Sequence, residues 1–286
     1  MVTIVTQIFN LQLDKSIKKI TQAIRQQKIN EYIIKKQFED VSFDFVIGDS
    51  EGQQWYDSSP KNQVEPLNPE FKFIQQLITA GDIVFECGTH HGLTAMLLSK
   101  WVGTEGKIVT FEINNHNAAI AKKNIELNNI NNVILEQKGL GSQKSQQKIF
   151  NKSNSSVTPS KIVSLGWLKN FIYGTNEVEI IALDDYAQTQ STLPTFLKID
   201  VEGYESEVLK GATEILKTLP KLEIEIHTEI LSRYNTSVKE IFELINIESY
   251  QTWVQWDDEE EPQPFDLQQK IDRRVHLFAV SKDKSN

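Results

Sequence analysis

Glu86, Glu112, Lys198, Asp200, Glu202 and His227 all fall at or near the ends of apolar segments, where a buried sheet would meet solvent. The stretch Ile83-Val-Phe-Glu86-Cys-Gly88-Thr89-His90-His91-Gly92 runs from an apolar strand through a glycine-bearing turn into an apolar helix. Glycine lets backbone approach a ligand closely there, and the helix N-terminus offers free N–H groups. The spacing Glu-x-Gly-x-x-x-Gly departs from the Gly-x-Gly-x-x-Gly that seats a pyrophosphate. An acid before the turn repels phosphate but suits a cation, such as the amino-acid end of S-adenosylmethionine. The next apolar strand, Lys107-Ile-Val-Thr-Phe-Glu112, ends in a carboxylate 24 residues after Gly88. An acid so placed can accept both hydroxyls of a ribose.

In Phe196-Leu-Lys198-Ile-Asp200-Val-Glu202, strand alternation puts Lys198 and Asp200 on one face, with Leu197 and Ile199 on the other. Leu222-Glu223-Ile-Glu225-Ile-His227 repeats the split. A central parallel strand should be apolar on both faces, so these charges need partners or a function. One reading is a polar cleft at the sheet's carboxyl edge; another is a Lys198–Glu225 ion pair buried under a helix, and the two can coexist. In a cleft, Asp200, Glu202 and His227 are candidate bases for deprotonating a hydroxyl, with Lys198 as an orienting or charge-stabilising partner. A carboxylate acceptor is already ionised near neutral pH and needs no base. Asp200, Glu202 and His227 could also gather a hard cation such as Mg²⁺. The sequence has no close-spaced ligand motif, and no metal is assigned.

Positioning these groups requires alternating strands and helices. Strands are expected at Ile83–Cys87, Lys107–Glu112, Val133–Gln137, Phe196–Asp200 and Leu222–His227, with helices at Leu93–Lys100, Asn117–Asn128 and Glu205–Leu216 between most of them. That rhythm predicts an α/β, doubly wound, mostly parallel sheet. Tyr250–Trp256 and Val275–Val280 have no helix between them and should pair as an antiparallel hairpin at one edge, giving seven strands. A helix is expected from Asn68, with Pro69 in its first turn and Phe71, Ile74, Leu77 and Ile78 on one stripe. Residues 65–286 then form the main domain and residues 1–64 an extension. In that extension, residues 14–39 read as a basic amphipathic helix, either a cap or lid or a membrane-surface element. Residues 43–56 read as a hairpin around Gly48-Asp-Ser-Glu-Gly52.

Hydrophobic residues make up 39% of the 286, enough for a sizeable core. A net charge of −9 argues against broad nucleic-acid binding. The single cysteine, Cys87, excludes an intrachain disulfide and a cysteine-based metal site. No apolar run approaches a membrane span, and the N-terminus lacks a signal-peptide pattern, so a cytoplasmic protein without stable membrane insertion is expected.

The segment Phe196–Glu205, with Ile181-Ala-Leu-Asp184-Asp185-Tyr186 before it and Leu209-Lys-Gly211-Ala212 after it, resembles the FkbM family of methyltransferases. Gly81-Asp-Ile-Val-Phe-Glu86-Cys-Gly88 and Val109-Thr-Phe-Glu112 are similar to the same family in order and spacing. The resemblance covers roughly residues 65 to 230. It implies a Rossmann-like class I methyltransferase that uses S-adenosylmethionine, mostly for O-methylation of natural products or sugars, with a small-molecule or peptide acceptor. It also implies a cofactor set of Glu86, Gly88, Thr89, His91, Gly92, Glu112, Ile113, Gly139, Leu140 and Asp200. Glu86 replaces the family's usual Asp, Ile113 its usual Pro, and Cys-Gly-Thr-His-His-Gly its usual Gly-Ala-Asn-x-Gly run. Two other readings stay open: a nicotinamide-dependent oxidoreductase on a related sheet, and a catalytically inactive cofactor-binding module. A homodimer is compatible with any of them.

Overall fold

In the computed structural model, residues 29–39, 41–57, 64–150, 175–258 and 260–284 are described. The chain enters as an antiparallel hairpin, β1 (Tyr32–Phe38) against β2 (Val41–Ile47). It continues through α1 (Ser50–Tyr56) and α2 (Pro69–Leu77). Then β3 (Ile83–Cys87), α3 (Leu93–Trp101), β4 (Lys107–Phe111), α4 (Asn115–Leu127) and β5 (Val133–Glu136) wind one half of a sheet. A small separate sheet of β6 (Gly139–Leu140), β7 (Ser145–Phe150) and β8 (Thr175–Ile181) follows, then α5 (Leu183–Gln190). The second half comprises β9 (Phe196–Ile199), α6 (Glu205–Lys210), α7 (Thr213–Lys217), β10 (Lys221–Ile226), α8 (Thr228–Leu231) and α9 (Val238–Ile245). It closes with β11 (Tyr250–Gln255), β12 (Gln263–Pro264) and β13 (Val275–Ser281).

The main sheet has eight strands in the order β12-β11-β13-β10-β9-β3-β4-β5, parallel from β10 through β5. The expected doubly wound α/β architecture is thus present, and β11 and β13 pair antiparallel as expected. β13 inserts between β10 and β11, and the two-residue β12 adds an eighth strand outside them. The chain winds outward from β3 to β5, then returns to place β9 on the other side of β3. That reversal between β3 and β9 is where an open α/β sheet binds its ligands.

Strand parity separates two cores. Phe85, Cys87, Val109, Phe111, Leu197, Ile199, Leu222, Ile224 and Ile226 point to a face covered by Leu183 and Tyr186 of α5, Val208 and Leu209 of α6, and Ile241 and Ile245 of α9. The opposite face carries Val84, Ile108, Phe196 and Phe278 under Ile74 of α2 and Ala95 and Leu98 of α3. The charged row lies on this second face. Register sets Glu86 beside Thr110 and Lys198, and Lys198 beside Glu223. The Lys198–Glu225 pair expected from sequence is therefore not the one formed. Lys198 Nζ donates to Glu223 at 2.5 Å and to Glu70 of α2 at 3.1 Å. Glu225 lies two residues further toward the carboxyl edge and accepts from Arg274 at 2.7 Å.

The extension departs from expectation in two places. Residues 14–28 of the predicted basic helix lie outside the described residues; Tyr32–Phe38 is a strand, with Lys36 and Phe38 buried and Ile33 exposed. Lys36 mimics a polar helix face in sequence, but its ammonium is buried against Glu65 (2.5 Å) and the Tyr56 carbonyl (3.0 Å). The Gly48–Gly52 segment is not a hairpin turn either. Asp49 caps α1, its Oδ1 accepting from Gly52 N at 2.7 Å, so an Asp-Ser-Glu run starts a helix where a second strand was expected. Phe38, Phe43, Phe45 and Ile47 pack with Leu93, Met96 and Leu97 of α3. The Glu205–Leu216 helix is split at Gly211–Ala212, where the Gly211 carbonyl accepts from Asp184 N at 2.8 Å. No helix among the described residues is long and apolar enough to cross a membrane.

Candidate active site

The turn after β3 is built around Gly88. Its φ is +92°, and a Cβ there would stand 2.0 Å from the Asp200 carbonyl oxygen, so only glycine fits. Gly88 N donates to the Phe111 carbonyl and Asp200 N to the Cys87 carbonyl, which lock the ends of β3, β4 and β9 together. Glu112, at the end of β4, closes the turn: its Oε2 accepts from His90 N at 2.9 Å and its Oε1 from Asn114 N at 2.7 Å. Burial lifts the Glu112 pKa to about 8, although both backbone donors favour the ion. Each oxygen keeps a lone pair for another donor.

Glu86 is fully buried, with Oε2 accepting from the Thr110 hydroxyl at 2.5 Å. Its Oε1 meets no hydrogen-bond partner among the described residues. Burial raises its pKa to about 7 against the hydrogen bond from Thr110, which favours the ion. This orphaned acceptor lies two residues before Gly88, whose backbone borders the cavity.

A cavity of about 830 Å³ opens here across the carboxyl ends of β3, β4, β9 and β10. Of the residues expected to hold a cofactor, Gly88, Glu112, Ile113, Gly139, Leu140 and Asp200 line it. Glu86, Thr89, His91 and Gly92 stand behind the turn. His91 is fully buried, 3.4 Å from Asp49, and its carbonyl accepts from Asn124; Gly92 caps α3. Trp55 of α1, whose ring centroid lies 4.8 Å from that of His90, forms part of the rim. Sequence reasoning missed this contribution, since Trp55 lay in the arm read as a strand.

On the cavity wall next to this turn, Asp200, Glu202 and His227 converge, one ligand-type atom of each lying within 4.8 Å of the others. Among the described residues no hydrogen bond or ion pair engages the Asp200 carboxylate, which faces the cavity. His227, 5% exposed, is held through Nδ1 by Glu205 Oε1 at 2.9 Å. Its Nε2 looks toward Glu225 at 3.5 Å and Glu202 at 3.6 Å. Burial alone would lower the His227 pKa; the Glu205 hydrogen bond and the charges of Glu225, Glu205 and Asp200 outweigh it and raise the pKa to about 9. Burial raises Glu202 as well, and raises Glu225 to about 8. Glu205, unremarked in the sequence as an orienting group, lies 22 residues from the histidine it holds. Lys198 is not part of this cluster. It lies under α2, bonded to Glu223 and Glu70, and does not line the cavity.

The FkbM methyltransferase domain model matches residues 86–252, more than half of the chain. A model of protein-L-isoaspartate(D-aspartate) O-methyltransferase matches residues 10–152. The hexuronic acid methyltransferase AglP of Haloferax volcanii is 34% identical over 76 residues, covering 26% of this chain and 32% of that protein. The chain thus aligns with about a third of that relative's length. Among solved structures, a putative rRNA methylase from Clostridium thermocellum shares 13% identity over 74% of this chain and 93% of its own, with a TM-score of 0.44. An O-methyltransferase from Bacillus cereus in complex with SAH shares 18% over 78% and 84%, with a TM-score of 0.42. The nicotinamide-dependent reading gives way to the family match, which runs from the acid before the glycine turn through the strands leading to Asp200 and His227. The chain belongs to the FkbM methyltransferase domain family.

Proposed function

We propose that the chain methylates a hydroxyl oxygen of a small acceptor, a sugar or a comparable natural-product or peptide alcohol. The observation that carries this reading is the convergence of Asp200, Glu202 and His227 on the cavity beside the Gly88 turn.

The turn suits the cofactor. Glu112 would take the ribose hydroxyls, the bare backbone at Gly88 would admit the amino-acid end beside the under-satisfied Glu86, and Gly139 and Leu140 would flank the base. S-adenosylmethionine bound there supplies a sulfonium methyl group for in-line displacement. The residues of this chain then have two tasks: to align an oxygen with that methyl group and to take its proton. Asp200 is the proposed base, because its carboxylate faces the cavity unengaged, next to the turn. Glu202 stands beside it with a pKa raised by burial, the direction that favours proton uptake near neutral pH. His227, whose Nε2 stands 3.6 Å from Glu202, serves to orient the acceptor.

A carboxylate acceptor, suggested by the names of the isoaspartate and hexuronic acid methyltransferases, would need no base. It would approach Asp200, Glu202 and Glu225 together, and like charges in a partly buried site repel. The geometry therefore favours a neutral hydroxyl. The test is incubation with S-adenosylmethionine and matched sugars bearing either hydroxyls alone or an added carboxylate, with products read by mass spectrometry. Ether formation on the neutral sugar supports the reading; ester formation alone overturns it.

A further inference from the structure

We infer that Asp200, Glu202 and His227 bind one hard divalent cation of the Mg²⁺ or Mn²⁺ class, which an acceptor bearing two adjacent oxygens would share. The acceptor's part in this rests on the proposed function; the binding of the cation does not.

The first support is spacing. Ligand atoms around an octahedral Mg²⁺ at about 2.1 Å lie roughly 3 Å apart when neighbouring and roughly 4.2 Å apart when opposite. One atom from each of Asp200, Glu202 and His227 already lies within 4.8 Å of the others. His227 Nε2 stands 3.6 Å from Glu202 Oε2 and 3.5 Å from Glu225 Oε1, too far for good hydrogen bonds but close to the separation of two ligands on one ion.

The second, independent support is the histidine itself. Its side chain is buried, yet Nε2 makes no hydrogen bond among the described residues and points into the carboxylates. Its other nitrogen is fixed by Glu205, a fully buried carboxylate that also accepts from Gly203 N at 2.8 Å. A metal-binding histidine is commonly held in this way, by a carboxylate on the nitrogen away from the ion.

The third support is charge. Asp200, Glu202 and Glu225 crowd one end of the cavity. Arg274 divides its guanidinium between Glu225 and Asp258, and the Lys198 ammonium is bonded to Glu223 and Glu70. A divalent ion would balance the remaining negative charge. Ligation through one oxygen leaves each carboxylate a second oxygen, so holding the ion does not exclude taking the acceptor's proton.

The test is titration of the full chain with Mn²⁺, following the loss of the free-ion electron paramagnetic resonance signal. Saturation at about one ion per chain is expected. Glu205→Gln should weaken binding about 10- to 100-fold, the usual effect of loosening a ligand's orienting partner, and Glu202→Gln and His227→Gln at least as much. Glu202 is partly exposed, so Glu202→Gln should fold; unchanged affinity for S-adenosylhomocysteine checks this. Absence of saturable binding up to about ten millimolar Mn²⁺, the weak end of natural divalent sites and beyond, overturns the inference. So does wild-type binding by both Glu202→Gln and His227→Gln. Saturable binding by a protein that methylates no alcohol upholds the cation site and overturns only the proposed function.

Discussion

Gly88 and Asp200 meet across the point where the sheet reverses its winding: a Cβ on Gly88 would fall 2.0 Å from the Asp200 carbonyl oxygen. The contact joins the glycine turn after β3 to the strand end that carries the proposed base, and it sets their separation through backbone alone. Gly88→Ala combines that clash with a φ of +92°, so the turn must shift. A stability loss of at least about 1–3 kcal/mol is expected, the cost of one strained residue, together with weaker S-adenosylhomocysteine binding. Denaturant unfolding and calorimetric titration check it; wild-type values in both would show that the two strand ends are not coupled.

Lys198→Met tests whether the buried charges of β9 are structural. It leaves Glu223 and Glu70 without their cation, and breaking a buried pair from one side costs about 3–5 kcal/mol. Turnover per folded molecule should stay near the wild-type value, measured below the melting transition. Unchanged stability with lost turnover would return Lys198 to the catalytic set.

Much of this site was legible because its parts are local. Glu86, Gly88 and Glu112 belong to strand–turn–helix units, and Gly88 and Glu112 border the cavity while Glu86 stays behind it. The partner of Lys198 was not legible. Strand parity put Glu223 and Glu225 on the same face, but only the register of β10 against β9 chooses between them, and register is a property of two segments 25 residues apart. Tyr32–Phe38 failed for another reason. Its lysines lie among apolar residues at spacings compatible with a helix, and pairing with β2 decides the matter in favour of the strand.

The buried carboxylates make the protein's stability depend on pH. Glu86 and Glu112 have folded-state pKa values of about 7 and about 8, raised above their unfolded values by burial. The folded chain therefore holds protons that the unfolded chain releases, and their stabilising effect fades as pH rises from about 4.5 through 8. His227, raised to about 9, acts in the same direction: its contribution is complete below about 6.5 and lost as pH rises through 9. Without cofactor, melting temperature should fall as pH rises from 5 toward 9. Glu112→Gln should flatten part of that slope while weakening S-adenosylhomocysteine binding by roughly 1.5–3 kcal/mol, the worth of a charged hydrogen-bond partner. A flat wild-type profile would contradict the raised values.

The most direct test of the account is Asp200→Asn, which keeps the side chain's shape and removes its capacity to take a proton. General base catalysis contributes about 10²–10⁴-fold, so turnover should fall by that order. Melting temperature and S-adenosylhomocysteine affinity should change little, because no hydrogen bond or ion pair holds the carboxylate among the described residues. Equal loss of turnover and cofactor affinity would make Asp200 a cofactor ligand instead of the base, and a folded Asp200→Asn protein with full activity would contradict the account.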